Sequence, residues 1–423
     1  MSLETPPIER TPADLRHLDR GSLAMAVSVG TTALGGLLFW FLAAQRGEAS
    51  SVGEALALFQ ALVFINYVTQ LGLPVLIAHH GAGRTPAASW IFRQTVVLRC
   101  TVTVVISAAM VAALWQTELF RPLHDDPVLD VAVFITAAVA NGLGTLAEAR
   151  LVTLRLWSGV VARHVIPATL RLPLLLFVSS GVAGSTLFLV ASIPPALAGL
   201  VAATWLLVMV DRSTPKPTSV DVPHLRRYAG ANAASMLLTE GPIFAAPLVV
   251  AAVIPAEETA PFLLAWSIAT VAFVVPAMLG NVLVSESSQT GSIASAARRA
   301  YLLSQVGTCV LTLGAWVAAD TIASIYGPDY SSLGDLLPVL VGANIAWVVT
   351  SVSLSVARAQ ERSSAVVGLG LLFALSTLVP IIAVVDSAGT EGVAWAWFIG
   401  NVTTALAALG IMRRVWLQKP DEA

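Results

Sequence analysis

A carboxylate stands alone in an apolar stretch: Glu240, in ANAASMLLTEGPIFAAP (231–247), followed by Gly241 and Pro242. An acid in such a place suits a cation site or a proton-exchanging group. The plainer alternative is a structural carboxylate bonded to a neighbouring helix. Proline removes one backbone hydrogen bond and clashes with the carbonyl four residues back, so the spacing predicts a helix kinked beside Glu240. A second set, Arg163, His164 and Arg171, lies in VVARHVIPATLRLPLLLF (160–177). His164 and Arg171 are two helical turns apart and share a face. A guanidinium offers a planar fork that grips a phosphate or pyrophosphate at two points. If the helix starts near 159, Arg171 lies about 18 Å along it at 1.5 Å per residue. If it starts near 170, all three are charges at the membrane edge. Arg46, beside Gln45, reads either as an anion contact or as an anchor that snorkels to the headgroups. Asn232 and Thr239 are seven apart and, with Trp266, form a candidate sugar-facing wall. Asn66 is a further candidate for the cavity, although amides also join membrane helices directly.

These residues matter because of what surrounds them. The chain has 423 residues, of which 57% are hydrophobic and only 11% charged. Soluble proteins carry about 25% charge. Twenty-five acids and 23 bases give a net charge of −2, which disfavours a nucleic-acid partner. The charges come in short clusters between long apolar runs, and a bilayer core takes about 20 apolar residues per helix. The expected class is an all-α polytopic membrane protein. Cys100 and Cys309 both fall in apolar runs without metal-ligand spacing.

Twelve spans are expected, near 21–44, 53–78, 94–115, 128–147, 159–181, 185–210, 229–254, 261–284, 300–325, 334–357, 364–385 and 392–412. Residues 1–20 read as a polar segment in which Thr11-Pro12-Ala13-Asp14 starts a short surface helix. Of the 23 bases, 18 fall on the termini and the even-numbered loops. The odd loops hold only Arg46 and Arg121, and carry acids such as Glu118, Asp125, Glu257 and Asp329. The positive-inside rule then places both termini in the cytoplasm of a cell-membrane protein.

The proline-bearing connection 211–227 divides the chain into six spans at 21–210 and six at 228–412, with a tail at 413–423. Six is even, so both halves enter the membrane from one side, as parallel repeats about an axis along the membrane normal with a cleft between them. No Walker loop, HExxH, nucleophile elbow or Asp-x-Asp sequence is present, so no ATPase or other enzyme is expected.

Several segments resemble the polysaccharide-transport branch, the Wzx-type O-antigen and capsule flippases, of the multidrug/oligosaccharidyl-lipid/polysaccharide (MOP) superfamily. In the first half they are AAQRGEASSVGEALALF (43–59) and QLGLPVLIAHHGAGR (70–84). In the second they are IASIYGPDYSSLGDLLPVL (322–340), SLSVARAQERSSAVVG (353–368) and GTEGVAWAWFIGN (389–401). The likeness spans the chain in order and spacing. It implies two six-helix bundles around a central cavity, a MATE-like fold working by alternating access. The implied substrate is a polyprenyl-pyrophosphate-linked oligosaccharide moved to the outer leaflet, in a monomer working beside glycosyltransferases and a polymerase. Without a nucleotide site, the expected drive is a proton or sodium gradient or downstream consumption of the product, with Glu240 protonation a candidate coupling step. A drug or cation antiporter of the same superfamily is the alternative. It calls for acids in the first-half cavity, where the sequence offers no clear mid-membrane acid. A membrane polymerase or ligase needs a larger external loop than TELFRPLHDDPV (117–128).

Overall fold

The computed structural model describes residues 12–80, 83–178, 181–210, 222–290, 293–360 and 362–417. The helices are α1 (Pro12–Ala44), α2 (Ala49–Val68), α3 (Leu73–His80), α4 (Pro86–Leu114), α5 (Pro127–Thr153), α6 (Trp157–Leu176), α7 (Gly184–Trp205), α8 (Val222–Val253), α9 (Ala256–Thr290), α10 (Ile293–Tyr326), α11 (Leu333–Ala359) and α12 (Ser363–Leu417). Their starts follow local chemistry. Thr85 caps α4 by accepting from the Ala88 amide at 3.1 Å, and Asp126 caps α5 through the Leu129 amide at 3.3 Å; each precedes a proline, which fits the first helical position.

Ten of these helices are long and apolar enough to cross a membrane. The chain is a multi-pass membrane protein. α12 has 55 residues, about 80 Å at 1.5 Å each, too long for one crossing. It folds at Gly389, whose φ of 58° and ψ of −154° suit a residue without a side chain. Ser376 Oγ, before the fold, donates to Gly400 O at 3.1 Å after it, so the two arms lie side by side. With α9 and the second arm of α12, the described rods number twelve.

Two expectations are corrected. The polar surface helix and the first span are one continuous helix, α1. The second span is not continuous: it breaks at 69–72, where Leu71 and Gly72 take φ values of 50° and 67°. Gln70, Gly72 and Pro74 mark the break, but averaged over a span-length window QLGLPVLIA still reads as apolar. In contrast, the expected fifth and sixth spans fall close to α6 and α7.

Packing shows the twofold relation of the halves. α2 and α9, second in each half, pack on each other, and each also packs on the other half's first helix, α8 or α1. Gly53 permits the approach: a Cβ there would stand 1.9 Å from the Ala256 carbonyl. The third helices, α4 and α10, turn apolar faces outward, with Val97 63%, Val105 59%, Val310 65% and Val317 74% exposed, as lipid contact requires. Cys309 is exposed on α10, Cys100 is half-buried on α4, and both are free thiols.

The buried core is asymmetric along the rods. On the side away from the termini, one apolar cluster joins both halves and includes Leu56, Phe120, Phe134, Ala251, Phe262, Leu337 and Trp397. On the termini side the described core is divided into smaller clusters. Leu76, Phe92, Leu146 and Leu206 share one with Leu225 and Ala229 of α8, and Ala297, Val352, Val356 and Leu369 belong to others in the second half. α3 also packs on α8 there, so the halves touch on that side too.

Candidate functional site

The seam between the halves carries the first polar group. Tyr67, in the last turn of α2, donates its hydroxyl proton to the Met236 carbonyl of α8 at 2.6 Å and stacks on Phe244 with ring centroids 4.4 Å apart. Met236 and Phe244 stand four residues before and after Glu240, on the same helix face. Tyr67 therefore covers Glu240, whose carboxylate lies within hydrogen-bonding reach of the Tyr67 hydroxyl and feels the charge of Arg358 on α11. Arg358 Nη2 also donates to Thr239 Oγ1 at 3.4 Å. Glu240 thus faces the other half. The Cβ direction of Gly241 is open. α8 runs unbroken from Val222 to Val253 through Pro242, so the expected kink does not interrupt the helix.

The second group lies inside the first half, along α2. Arg99 on α4 is fully buried; its Nη2 donates to Asn66 O at 2.6 Å and Asn66 Oδ1 at 3.1 Å, leaving Nε and Nη1 without partners. Gly142 on α5 makes the space, since a Cβ there would meet Arg99 Nε at 2.7 Å. Arg171 is 8% exposed, its Nε is unpartnered, and its guanidinium sits 5.7 Å from the Phe59 ring centroid, a cation–π contact. Phe59 and Asn66 are seven apart, so the two guanidiniums are ranged along one face of α2, about 10 Å apart in rise. α6 begins at Trp157, which places Arg171 about 21 Å along it and decides the question of its depth.

A third group is self-contained. Glu148 Oε2 on α5 accepts from Arg163 Nη2 and from His164 Nε2 at 3.1 Å, and His164 Nδ1 bonds Thr32 Oγ1 on α1 at 2.9 Å. Glu148 lies near the end of α5, five residues before Thr153, and is already paired, so it adds no mid-membrane acid.

Other expected residues sit elsewhere. Arg46 Nη1 donates to the Leu175 carbonyl at 2.9 Å, capping the last turn of α6, where the helix dipole favours a cation. Trp266 is 3% exposed and packs between Phe262 and Trp397, so it belongs to the core rather than to a sugar-facing wall. Thr239 is buried with its hydroxyl on the Ser235 carbonyl at 2.9 Å. The Asn232 side chain lies outside the described residues. Sequence reasoning passed over Tyr67, Arg99, Glu148 and Arg358. A lone base in VVLRCTVTVV (96–105) was a signal for Arg99. Far from these groups, on the side away from the termini, a mouth of about 610 Å³ opens between Glu48 of the first half and Glu257, Glu258 and Asp329 of the second.

No family model matches this sequence, and no curated protein matches it. Solved structures do. An inward-facing multidrug-resistance MATE family transporter of the MOP superfamily aligns at a TM-score of 0.71 and 15% identity, covering 95% of this chain and 100% of that one. The chain has the MATE transporter fold. An outward-facing MATE transporter aligns at 0.63 with 15% identity, covering 94% of this chain and 95% of the other. A MOP superfamily transporter from Pyrococcus furiosus, described as having a binding pocket of reversed polarity that suggests a different function, aligns at 0.61 with 15% identity over 94% and 95% of the two chains.

Proposed function

We propose that this protein is an alternating-access transporter in the cell membrane that moves a polyprenyl-pyrophosphate-linked oligosaccharide to the outer leaflet. The observation that carries the reading is the pair Arg99 and Arg171, two buried guanidiniums with no carboxylate partner among the described residues. Unpaired buried charge costs several kcal/mol, and charge inside a membrane marks function by default. A pyrophosphate supplies the missing countercharge and matches the guanidinium fork. The sugar would travel between the halves while the lipid tail stays in the bilayer.

The basic termini and even loops support a cytoplasmic termini side. The higher likeness to the inward-facing transporter, 0.71 against 0.63, supports an inward-open state. Glu240 under Tyr67 is the group for proton or sodium coupling. The test is reconstitution into vesicles with a fluorescent polyprenyl-pyrophosphate oligosaccharide. Wild-type protein is expected to move it between leaflets, and Arg171→Gln to lose that movement.

A drug or cation antiporter is the second reading. It is favoured by Glu240 set beside the aromatic pair Tyr67 and Phe244, a surface suited to organic cations. Under that reading an organic cation is exchanged, Arg171→Gln leaves the exchange intact, and the lipid-linked probe stays put.

A further inference from the structure

The break in the second membrane helix is mended from the next helix. In a continuous helix the Gln70 amide would bond to the Asn66 carbonyl. Here it bonds to Tyr67 O at 3.1 Å instead, and Leu71 and Gly72 follow in left-handed conformation. The released Asn66 carbonyl is taken by Arg99 Nη2 at 2.6 Å. One turn further along α4, Thr103 Oγ1 donates to Thr69 Oγ1 at 3.2 Å. Both bonds run from α4 to the edge of the break.

Both sides of the break touch the second half. α2 packs on α9 and α8 as well as on its own half. Leu73, Leu76 and Ile77 of α3 sit in a termini-side core that also takes in Leu225 and Ala229 of α8. Tyr67, directly beside the capped Asn66, holds Met236 across the seam.

We propose that Arg99 is a positioning residue: its hydrogen bond to Asn66 holds α2 in the broken form, which sets Tyr67 on Met236 while the termini side is open. In the alternative form the Gln70 amide returns to Asn66 O, the guanidinium is released, and α2 and α3 move as one rod to close that side. The proposal rests on the alternating-access reading but not on the identity of the substrate.

The experiment places spin labels at Ser158→Cys, exposed at the start of α6, and Ser363→Cys, exposed at the start of the first arm of α12. The full chain, with Cys100 and Cys309 replaced by alanine, is measured in lipid nanodiscs without substrate by pulsed electron resonance. The parent is expected to show a long distance. Arg99→Met should move the long-to-short population ratio about tenfold toward short, as loss of one charge-assisted bond implies. Thr103→Val should move it the same way by less, and Arg99→Lys should hold near the parent. Leu71→Gly relieves the left-handed strain, and added to Arg99→Met it should restore the long distance by roughly fivefold or more. A parent-like distribution for Arg99→Met overturns the proposal, as does Leu71→Gly shifting it further toward short. If Arg99→Met does not fold, Thr103→Val alone and with Leu71→Gly decides by the same opposite shifts. A failed lipid-movement assay would leave these distances unaffected, so the two readings fail separately.

Discussion

Tyr67 of α2 and Met236 of α8 belong to different halves and share a 2.6 Å hydrogen bond. A tyrosine hydroxyl carries one proton. While it is given to Met236, only a lone pair remains for Glu240, which completes a hydrogen bond when Glu240 itself is protonated. An ionised Glu240 competes with the Met236 carbonyl for the same proton. The seam contact is thereby tied to the charge on one carboxyl.

Glu240→Gln fixes the neutral, donating form. Substrate movement in vesicles with an imposed proton gradient is expected to become independent of that gradient, while protein yield stays unchanged. Movement that still follows the gradient removes Glu240 from the coupling role.

Tyr67→Phe keeps the stacking on Phe244 but deletes the hydroxyl. A loss of about 1 kcal/mol is expected from one hydrogen bond, read as a lower melting temperature. The transport rate should fall further than Phe244→Leu makes it fall, because the Phe change alone breaks the link to both Met236 and Glu240.

Arg171→Met should separate stability from activity. Removing an uncompensated buried cation is neutral or stabilising by about 1–4 kcal/mol, so the melting temperature should hold or rise while substrate movement drops at least tenfold. Loss of both together would mark Arg171 as structural.

Gly53→Val places a side chain where even a Cβ would meet the Ala256 carbonyl at 1.9 Å. Overpacking of about 1–3 kcal/mol is expected where α2 meets α9. The labels at 158 and 363 should report a population shifted to short distances, as the α2–α9 seal gives way and the termini side closes.

The architecture was largely legible because hydropathy and basic-residue alternation are long-range, redundant signals. Twelve rods in two parallel halves follow from them, and so does a lone Glu240 within an apolar helix. Single contacts were less legible. Arg99 was visible as a base in an apolar run, but its partner Asn66 is 33 residues away on another helix. Glu148 looked like a span end, and only the packing of α5 on α6 brings Arg163 and His164 onto it. Trp266 was misplaced because an indole facing a cavity and one facing a core have the same sequence signature; the ring of Trp397 against it, 4.8 Å away, decides. The 69–72 break carries a trace in Gln70, Gly72 and Pro74, but a window long enough to find a membrane span averages them with Leu73 and residues 75–78.

The most direct measurement is leaflet exchange of a fluorescent polyprenyl-pyrophosphate oligosaccharide in vesicles holding the wild-type protein or Arg171→Gln. Exchange by the wild type, inhibited by free pyrophosphate-bearing lipid and lost in the variant, is the expected result. No exchange by folded wild type, or equal exchange by both proteins, would contradict an anion site built from the unpaired arginines.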